Sequence, residues 1–568
     1  MPKLFWALFS LLITMCSWGI IRLFTNASVE LSFWLGLVAG ALFLGMSLRV
    51  LRSERSSLKE LIIALTLWVS WAAILYSTVF CKGHRGLYAL NSMDVASHIS
   101  ILGEFTHKNP NVYHGFVSLY GIAGTLTHVF GIETMNALSI ALYGSLGLTA
   151  LFIAVAMSGA TRNETVHSLS WVSLLATAPL CFLYITNTLL FYNIGEGFWA
   201  HVTSLVVLAG AWAGYTLVAQ PWLRLGTIFL TLALYRFFYG LNLGDLVVAS
   251  ALLVGMESLR LKSTPRFLGL LTSLCLLGAG WKAYEKLIPL SEINGGIVPT
   301  PLTYSLDATS YILCACLGAL LLLRSETTNA RAIRFLLYPF AFACVSFFAE
   351  KLYHVTGMPV RYYSYKYGLH RSVLLAFAAP AAFFFLTSHA LRSWKDSKGK
   401  VIVAVVCVLT LYHGTKHLAA SYVNYQSGLG LYLTQRKKIY PDQLYSDALV
   451  KTINAILAKE QKQYHGTLGT QWASILFLNA YMLHNELGMD AMKRSTDIMY
   501  YGIQYPPPGS CVFWLNKGPF YSPAPLPLYE LRASMAIFGA DERKRCVKRQ
   551  SEIGKLFNVC YLCNGQTT

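Results

Sequence analysis

The sequence predicts a polytopic α-helical membrane protein with about 13 transmembrane helices, interfacial helices and a C-terminal extracytoplasmic domain, α-rich or mixed. Three observations predict it. Apolar residues make up 55% of the chain and charged residues 12%, with a mean hydropathy of +0.50; soluble domains carry roughly twice that charged fraction. Apolar stretches of spanning length recur along the chain. The basic residues alternate between loops in the manner that fixes membrane topology. The 33 Tyr and 13 Trp fit a chain with many water–lipid boundaries, and the same composition excludes disordered and fibrous classes.

A hydrocarbon core of about 30 Å needs about 20 mostly apolar residues in a helix. The predicted spans are 4–24, 30–48, 60–80, 134–157, 168–188, 198–219, 225–240, 244–258, 266–286, 308–323, 334–350, 372–391 and 400–414. The pair 225–240 and 244–258 is short, as one kinked span plus a re-entrant piece would be. The first segment lacks a small-residue cleavage site and is expected to stay as an anchor. With the N-terminus in the cytoplasm, every inner loop is basic: Arg49 to Lys59, Arg162, Arg224, Arg260 to Arg266, Arg324 to Arg334, and Arg392 to Lys400. Arg22, near the outer end of the first helix, breaks the pattern and is expected to snorkel.

This topology divides the chain into a membrane part, 1–414, and an outer part, 415–568. The outer part has amphipathic runs such as Pro441–Gln463 and Pro-rich turns at Pro506–Pro508 and Pro519–Pro527. Eight of the 12 Cys lie in or beside apolar spans; Cys511, Cys546, Cys560 and Cys563 fall in the outer part. In an oxidising compartment those four predict two disulfides, with three possible connectivities. The Cys560-x-x-Cys563 spacing leaves a zinc site as the competitor. There is no Walker loop, dinucleotide fingerprint or H-E-x-x-H. The net charge of +19 is spread over cytoplasmic loops rather than gathered on one face, so no nucleic-acid partner is expected.

Chemistry can sit in two outer regions. The first follows the third span and includes Asp94, His98, Glu104 and His107. In a helix, Asp94 and His98 are one turn apart on one face, while Val95, Ile99, Leu102 and Phe105 form an apolar stripe suited to the membrane surface. The competing reading makes Asp94 a helix cap and His98 a surface histidine. After Asn109-Pro110, the stretch His114–Phe130 reads as a second interfacial helix. The second region, 354–371, gathers Arg361, Lys366, His370 and Arg371 against the positive-inside trend, with Tyr362, Tyr363, Tyr365 and Tyr367 between them. Such a cluster suits a phosphate, since Arg presents a fork and Lys a point charge; an aromatic belt with snorkelling bases is the alternative. Glu196 and His201 flank the mouth of the sixth span, and Arg236 and Asp245 bracket a helix break. Ionisable groups at membrane depth normally face a cavity or one another, so these four either line a site or hold helices together.

With an Asp in a large outer loop, an adjoining interfacial helix, a Tyr-His-Gly-Phe entry at Tyr113–Phe116 into a second one and a C-terminal outer domain, the chain resembles the GT-C superfamily of integral membrane glycosyltransferases. The resemblance runs from about Asp94 to Arg371. It is nearest to bacterial members with monosaccharide donors, including arabinofuranosyl- and mannosyltransferase types. It implies a polyprenyl-phosphate sugar as donor, a cell-envelope acceptor that is a glycan, lipid or protein, and the bacterial inner membrane as location. It further implies Asp94 as catalytic base with His98 beside it, and Arg361, Lys366, His370 and Arg371 at the donor phosphate. Tyr362, Tyr365, Glu196, His201, Arg236 and Asp245 would line the donor and acceptor cavity. In the family the Asp follows the first span; here it follows the third. The paired acidic motif of the metal-dependent oligosaccharyltransferase branch is missing, so no metal or other cofactor is expected. A transporter or flippase, an O-antigen-type polymerase or ligase using a lipid-diphosphate donor, and a scaffold without catalysis are the other classes these features admit.

Overall fold

The computed structural model describes residues 2–50, 92–107, 117–161, 190, 193, 198–238, 242–259, 263–293, 330–355, 368–375, 377, 378, 381, 447–469, 472–501, 506–516, 544–550 and 556–564. The membrane part is helical. Its elements are α1 (Pro2–Thr25), α2 (Val29–Val50), α3 (Ser92–His107), α4 (Val117–His128), α5 (Thr134–Thr161), α6 (Trp199–Thr203), α7 (Leu205–Leu217), α8 (Pro221–Tyr235), α9 (Leu243–Ser258), α10 (Ser263–Ile293) and α11 (Ala330–Val355), followed by helical residues 368–375.

Five stretches among the described residues are long and apolar enough to cross a membrane: Pro2–Thr25, Val29–Ser47, Thr134–Ala160, Trp199–Leu217 and Ala330–Ala349. They coincide with five of the expected spans. The expected 225–240 and 244–258 correspond to the shorter helices α8 and α9, and 266–286 lies within α10. The expected spans 60–80, 168–188, 308–323 and 400–414 lie outside the described residues, and 372–391 is described only in part. Apolar side chains on the outer surfaces of α2 and α10, including Trp34, Leu42, Phe267 and Trp281, are exposed, as lipid-facing positions require.

Packing around α3 and α4 departs from the expected surface placement. Residues Val117 to Thr125 of α4 are all buried, whereas a helix lying on a membrane keeps one face open. Glycines make this burial possible. A Cβ on Gly121 would meet the backbone N of Gly19 at 2.3 Å, and one on Gly19 would meet the Val117 carbonyl oxygen at 2.1 Å, so α1 and α4 cross backbone to backbone. The apolar stripe of α3 faces protein as well. Ile99, Leu102 and Phe105 join the main core, while Ala96 packs with Leu476 and Ala480 of the C-terminal part.

Arg22 does not snorkel. It is buried, and its guanidinium donates to the carbonyls of Phe105 (2.7 Å), Thr106 (2.9 Å) and Ala27 (2.5 Å). The first two belong to the last turn of α3, where carbonyls lack intrahelical partners and the helix dipole favours a cation. The exception to the charge pattern is thus a cap.

The C-terminal part forms an α/β unit: α12 (Asp447–Glu460), β1 (Gln463–Gly469), α13 (Trp472–Leu487), α14 (Met489–Tyr501), β2 (Ser510–Asn516), β3 (Arg545–Gln550) and β4 (Leu556–Cys563). The sheet order is β1-β2-β4-β3, with β1 and β2 parallel and the other pairs antiparallel. The two helices between β1 and β2 supply the crossover a parallel pair needs. Apolar residues of α12, including Leu449 and Ile453, pack with Cys511, Phe513 and Tyr561 of the sheet. Within the expected amphipathic run Pro441–Gln463, Asp447–Glu460 is α12 and Gln463 begins β1; residues 441–446 lie outside the described residues. Both disulfides form, resolving the three connectivities: Cys511 with Cys563 and Cys546 with Cys560. Each links directly paired positions on neighbouring strands, so Cys560 and Cys563 bind sulfur rather than zinc.

Candidate functional site

α3 packs against the main core through Ile99, Ile101, Leu102 and Phe105. The backbone of Asp94 lies in its first turn, one turn before His98. The His98 side chain is buried. Its Nδ1 is 2.7 Å from the Tyr120 hydroxyl of α4, and its ring lies parallel to that of Trp199, with centroids 5.3 Å apart and 8° between planes. His98 is therefore an interior residue of a junction between α3, α4 and α6, not a surface histidine.

Trp199 opens α6, and two residues later comes His201, fully buried. The helix breaks at Ser204, between α6 and α7. There the Ser204 hydroxyl donates to the His201 carbonyl at 2.6 Å, so its oxygen is left to accept. His370 arrives from the helical residues 368–375 and fills that role. Its Nε2 is 3.0 Å from Ser204 Oγ and 3.3 Å from the His201 carbonyl oxygen. A carbonyl can only accept, which puts the proton on Nε2. Nδ1 then accepts from the Tyr235 hydroxyl at 3.0 Å. The rings of His201 and His370 sit 4.3 Å apart, centroid to centroid. Two imidazoles more than 160 positions apart thus meet at one helix break, one of them wired through both nitrogens.

No family model and no curated protein matches the chain.

Arg371 is buried next to His370, with its guanidinium carbon 6.0 Å from the centroid of the Phe347 ring. Asp245 is fully buried in the first turn of α9, where the positive end of the helix dipole favours a carboxylate, and it accepts from Asn242 Nδ2 at 3.1 Å. Arg236 caps the C-terminal end of α8 and is exposed; among the described residues no ion pair joins it to Asp245. Glu196, Arg361, Tyr362, Tyr365 and Lys366 lie outside the described residues.

Tyr120, Trp199, Ser204 and Tyr235 hold the candidate histidines but were not singled out by sequence reading. Trp199 lies between Glu196 and His201, and Tyr235 immediately precedes Arg236, so both are close to residues that were. Their roles depend on partners far along the chain, which no local pattern encodes. Among the described residues no three His, Cys, Asp or Glu side chains come together as a metal-ligand set.

Outside the membrane part, α13 rests along α3, from Ala96 to Gly103, and on the start of α5. Tyr481 donates from its hydroxyl to Glu133 Oε1 at 2.7 Å, His484 Nε2 lies 3.1 Å from Thr134 Oγ1, and Met489 N–H donates to Glu104 Oε2 at 3.3 Å. The last contact caps the first turn of α14. Burial, the leading cause, and the nearby His107 hold the His484 imidazole below its ordinary range, against the opposing pull of its bond to the Tyr481 carbonyl and of Glu133.

Proposed function

We propose that this chain is a membrane glycosyltransferase of the GT-C type. It would move a monosaccharide from a polyprenyl-phosphate donor to an extracytoplasmic acceptor hydroxyl, inverting the anomeric centre, with Asp94 as base. The observation that carries the reading is the convergence of three distant segments. His98 of α3 stacks on Trp199 of α6, and His201, two residues on, meets His370, whose neighbour Arg371 lies with it in the helical residues 368–375 that follow the basic loop in sequence.

In this reading the Asp94 carboxylate removes the acceptor proton as its oxygen attacks the anomeric carbon, and the lipid phosphate departs with the bonding pair. Its negative charge calls for cations at the outer leaflet, the role proposed for Arg361, Lys366 and Arg371. His370, with Nε2 and Nδ1 both engaged, would position this segment against the helix break. The basic inner loops and the disulfide-bonded C-terminal unit support a cytoplasmic N-terminus and an extracytoplasmic C-terminal part, in a bacterial inner membrane, with a glycan, lipid or protein acceptor.

Supplying purified protein with a prenyl-phosphate monosaccharide or, separately, a prenyl-diphosphate oligosaccharide tests it. Release of lipid phosphate from the first donor alone, abolished in Asp94→Asn with folding preserved, is expected. Turnover in Asp94→Asn removes Asp94 as base, and use of the diphosphate donor instead favours an O-antigen-type polymerase or ligase.

A second reading rests on a specific feature. The helix break at Ser204 is flanked by two buried histidines, and a second break, before α9, is followed by buried Asp245. Interrupted helices with ionisable groups are also how transporters build substrate sites. Movement of an intact lipid-linked sugar across proteoliposomes, with no bond cleaved, would favour that class.

A further inference from the structure

The surface where the C-terminal unit meets the membrane part holds an unusual density of titratable groups. His484 is buried on α13. Its Nδ1–H donates to the Tyr481 carbonyl, so in the neutral ring Nε2 accepts from Thr134 at the start of α5. Around it stand Glu133 before α5, Glu104 and His107 on α3, and Tyr481 on its own helix. His107 in turn touches His128 of α4, with ring centroids 4.9 Å apart. The packing is close, since a Cβ on Gly103 would meet the His484 carbonyl oxygen at 2.2 Å and one on Gly488 would meet Glu104 Oε2 at 2.1 Å. No solvent layer separates these helices at His484, and a charge placed there is desolvated.

We propose that protonation of His484 releases α13 and α14 from α3 and the start of α5, making the seating of the C-terminal unit a pH-sensitive latch. The Thr134 hydroxyl can rotate to accept from a protonated Nε2, so the hydrogen bond itself survives. What opposes the proton is burial and the charge of His107, with Glu133 only partly offsetting them. Because the docked imidazole titrates below its free value of about 6.5, docking is fully supported above that pH. It weakens as pH falls through the interval between the free and docked values, since the undocked state binds the proton more readily. The helix that loses its support is the one bearing Asp94 and His98. The inference stands independently of which reaction, if any, those residues perform.

The test is hydrogen exchange on the full chain in lipid nanodiscs between pH 8 and pH 5, corrected for the intrinsic pH dependence of exchange. Peptides covering 92–107 and 472–487 should lose protection by about tenfold per pH unit once below the free imidazole value. His484→Gln should flatten that dependence. His107→Gln, at an exposed position, should keep the docked state at pH 8 and lose less protection on acidification. Unchanged protection down to pH 5 in the native chain, or an equal loss in His484→Gln, overturns the latch. If His484→Gln does not assemble, His107→Gln decides: a loss identical to that of the native chain overturns it.

Discussion

His98 and Trp199 lie face to face, 5.3 Å between ring centroids and 8° between planes, joining the helix after the third expected span to the mouth of the sixth. Through this stack, the orientation of a histidine on α3 depends on an indole 101 positions away. Trp199→Ala should therefore lower transfer from a prenyl-phosphate sugar by about two orders of magnitude, the scale on which acid–base positioning acts, while Trp199→Phe keeps most of it. Equal rates in Trp199→Ala and the native chain would show that the stack does not serve the reaction.

Arg22 is the next link to test. It supplies hydrogen bonds to two terminal carbonyls of α3 and one after α1, the one to Phe105 buried and the other two part-buried. Arg22→Leu should destabilise the protein by about 1–3 kcal/mol, since removing the guanidinium leaves the buried Phe105 carbonyl without its donor. The loss reads out as a lower unfolding temperature in detergent. Arg22→Lys should recover part of it, because one ammonium cannot reproduce the guanidinium's fork.

Gly103→Ala opposes two effects of known sign. Helix propensity favours alanine by about 1 kcal/mol. The added Cβ, however, would sit 2.2 Å from the backbone oxygen of His484, which no side-chain rotation relieves. Steric conflict with backbone should win, loosening α13 from α3. Enhanced protease cleavage between the membrane part and the C-terminal unit is the expected result; an unchanged digestion pattern contradicts it.

At the other end of the bundle, Arg224 and Glu257 form a buried ion pair at 2.7 Å. Arg224 also donates to the carbonyls of Val218 and Ala219, just past the end of α7, and Glu257 accepts from Tyr215 at 3.1 Å. Glu257→Leu strands the guanidinium and should cost about 3–5 kcal/mol. Arg224→Met combined with Glu257→Leu should be less destabilised than Glu257→Leu alone, measured by thermal unfolding of the four members of the double-mutant cycle.

The two disulfides close chain segments of different length, with sequence separations of 52 for Cys511–Cys563 and 14 for Cys546–Cys560. Chain entropy gives about 3 kcal/mol for the shorter loop and about 1 kcal/mol more for the longer. Replacing the Cys511 and Cys563 pair by Ala should therefore lower the stability of the C-terminal unit more than replacing the other pair. The reverse order in chemical denaturation would show that native-state packing outweighs loop closure.

Much of the architecture was legible because it rests on composition and on local period. Runs of apolar residues long enough to cross a bilayer marked α1, α2, α5, the α6–α7 region and α11, and the Cys content of the outer part marked two disulfides. The short strands of the C-terminal sheet were not seen, because segments such as 510–516 and 556–563 are apolar runs whose pairing partners lie elsewhere in the chain. Arg22 was misread for the same reason. Two of its three carbonyl partners are more than 80 positions away, so charge in a helix end suggested lipid headgroups.

The amino-acid order alone determined a helical, membrane-compatible chain with a cysteine-bearing C-terminal part, since hydropathy and cysteine content are summed residue by residue. Only the tertiary structure decided that α4 is buried rather than laid on the surface, which cysteines join, and that His98 meets Trp199 and His201 meets His370 at the same short helix. Those outcomes depend on shape complementarity between distant segments, down to two glycines that let α1 and α4 touch. Such close approach is a property of pairs of surfaces and has no signature in either segment taken singly.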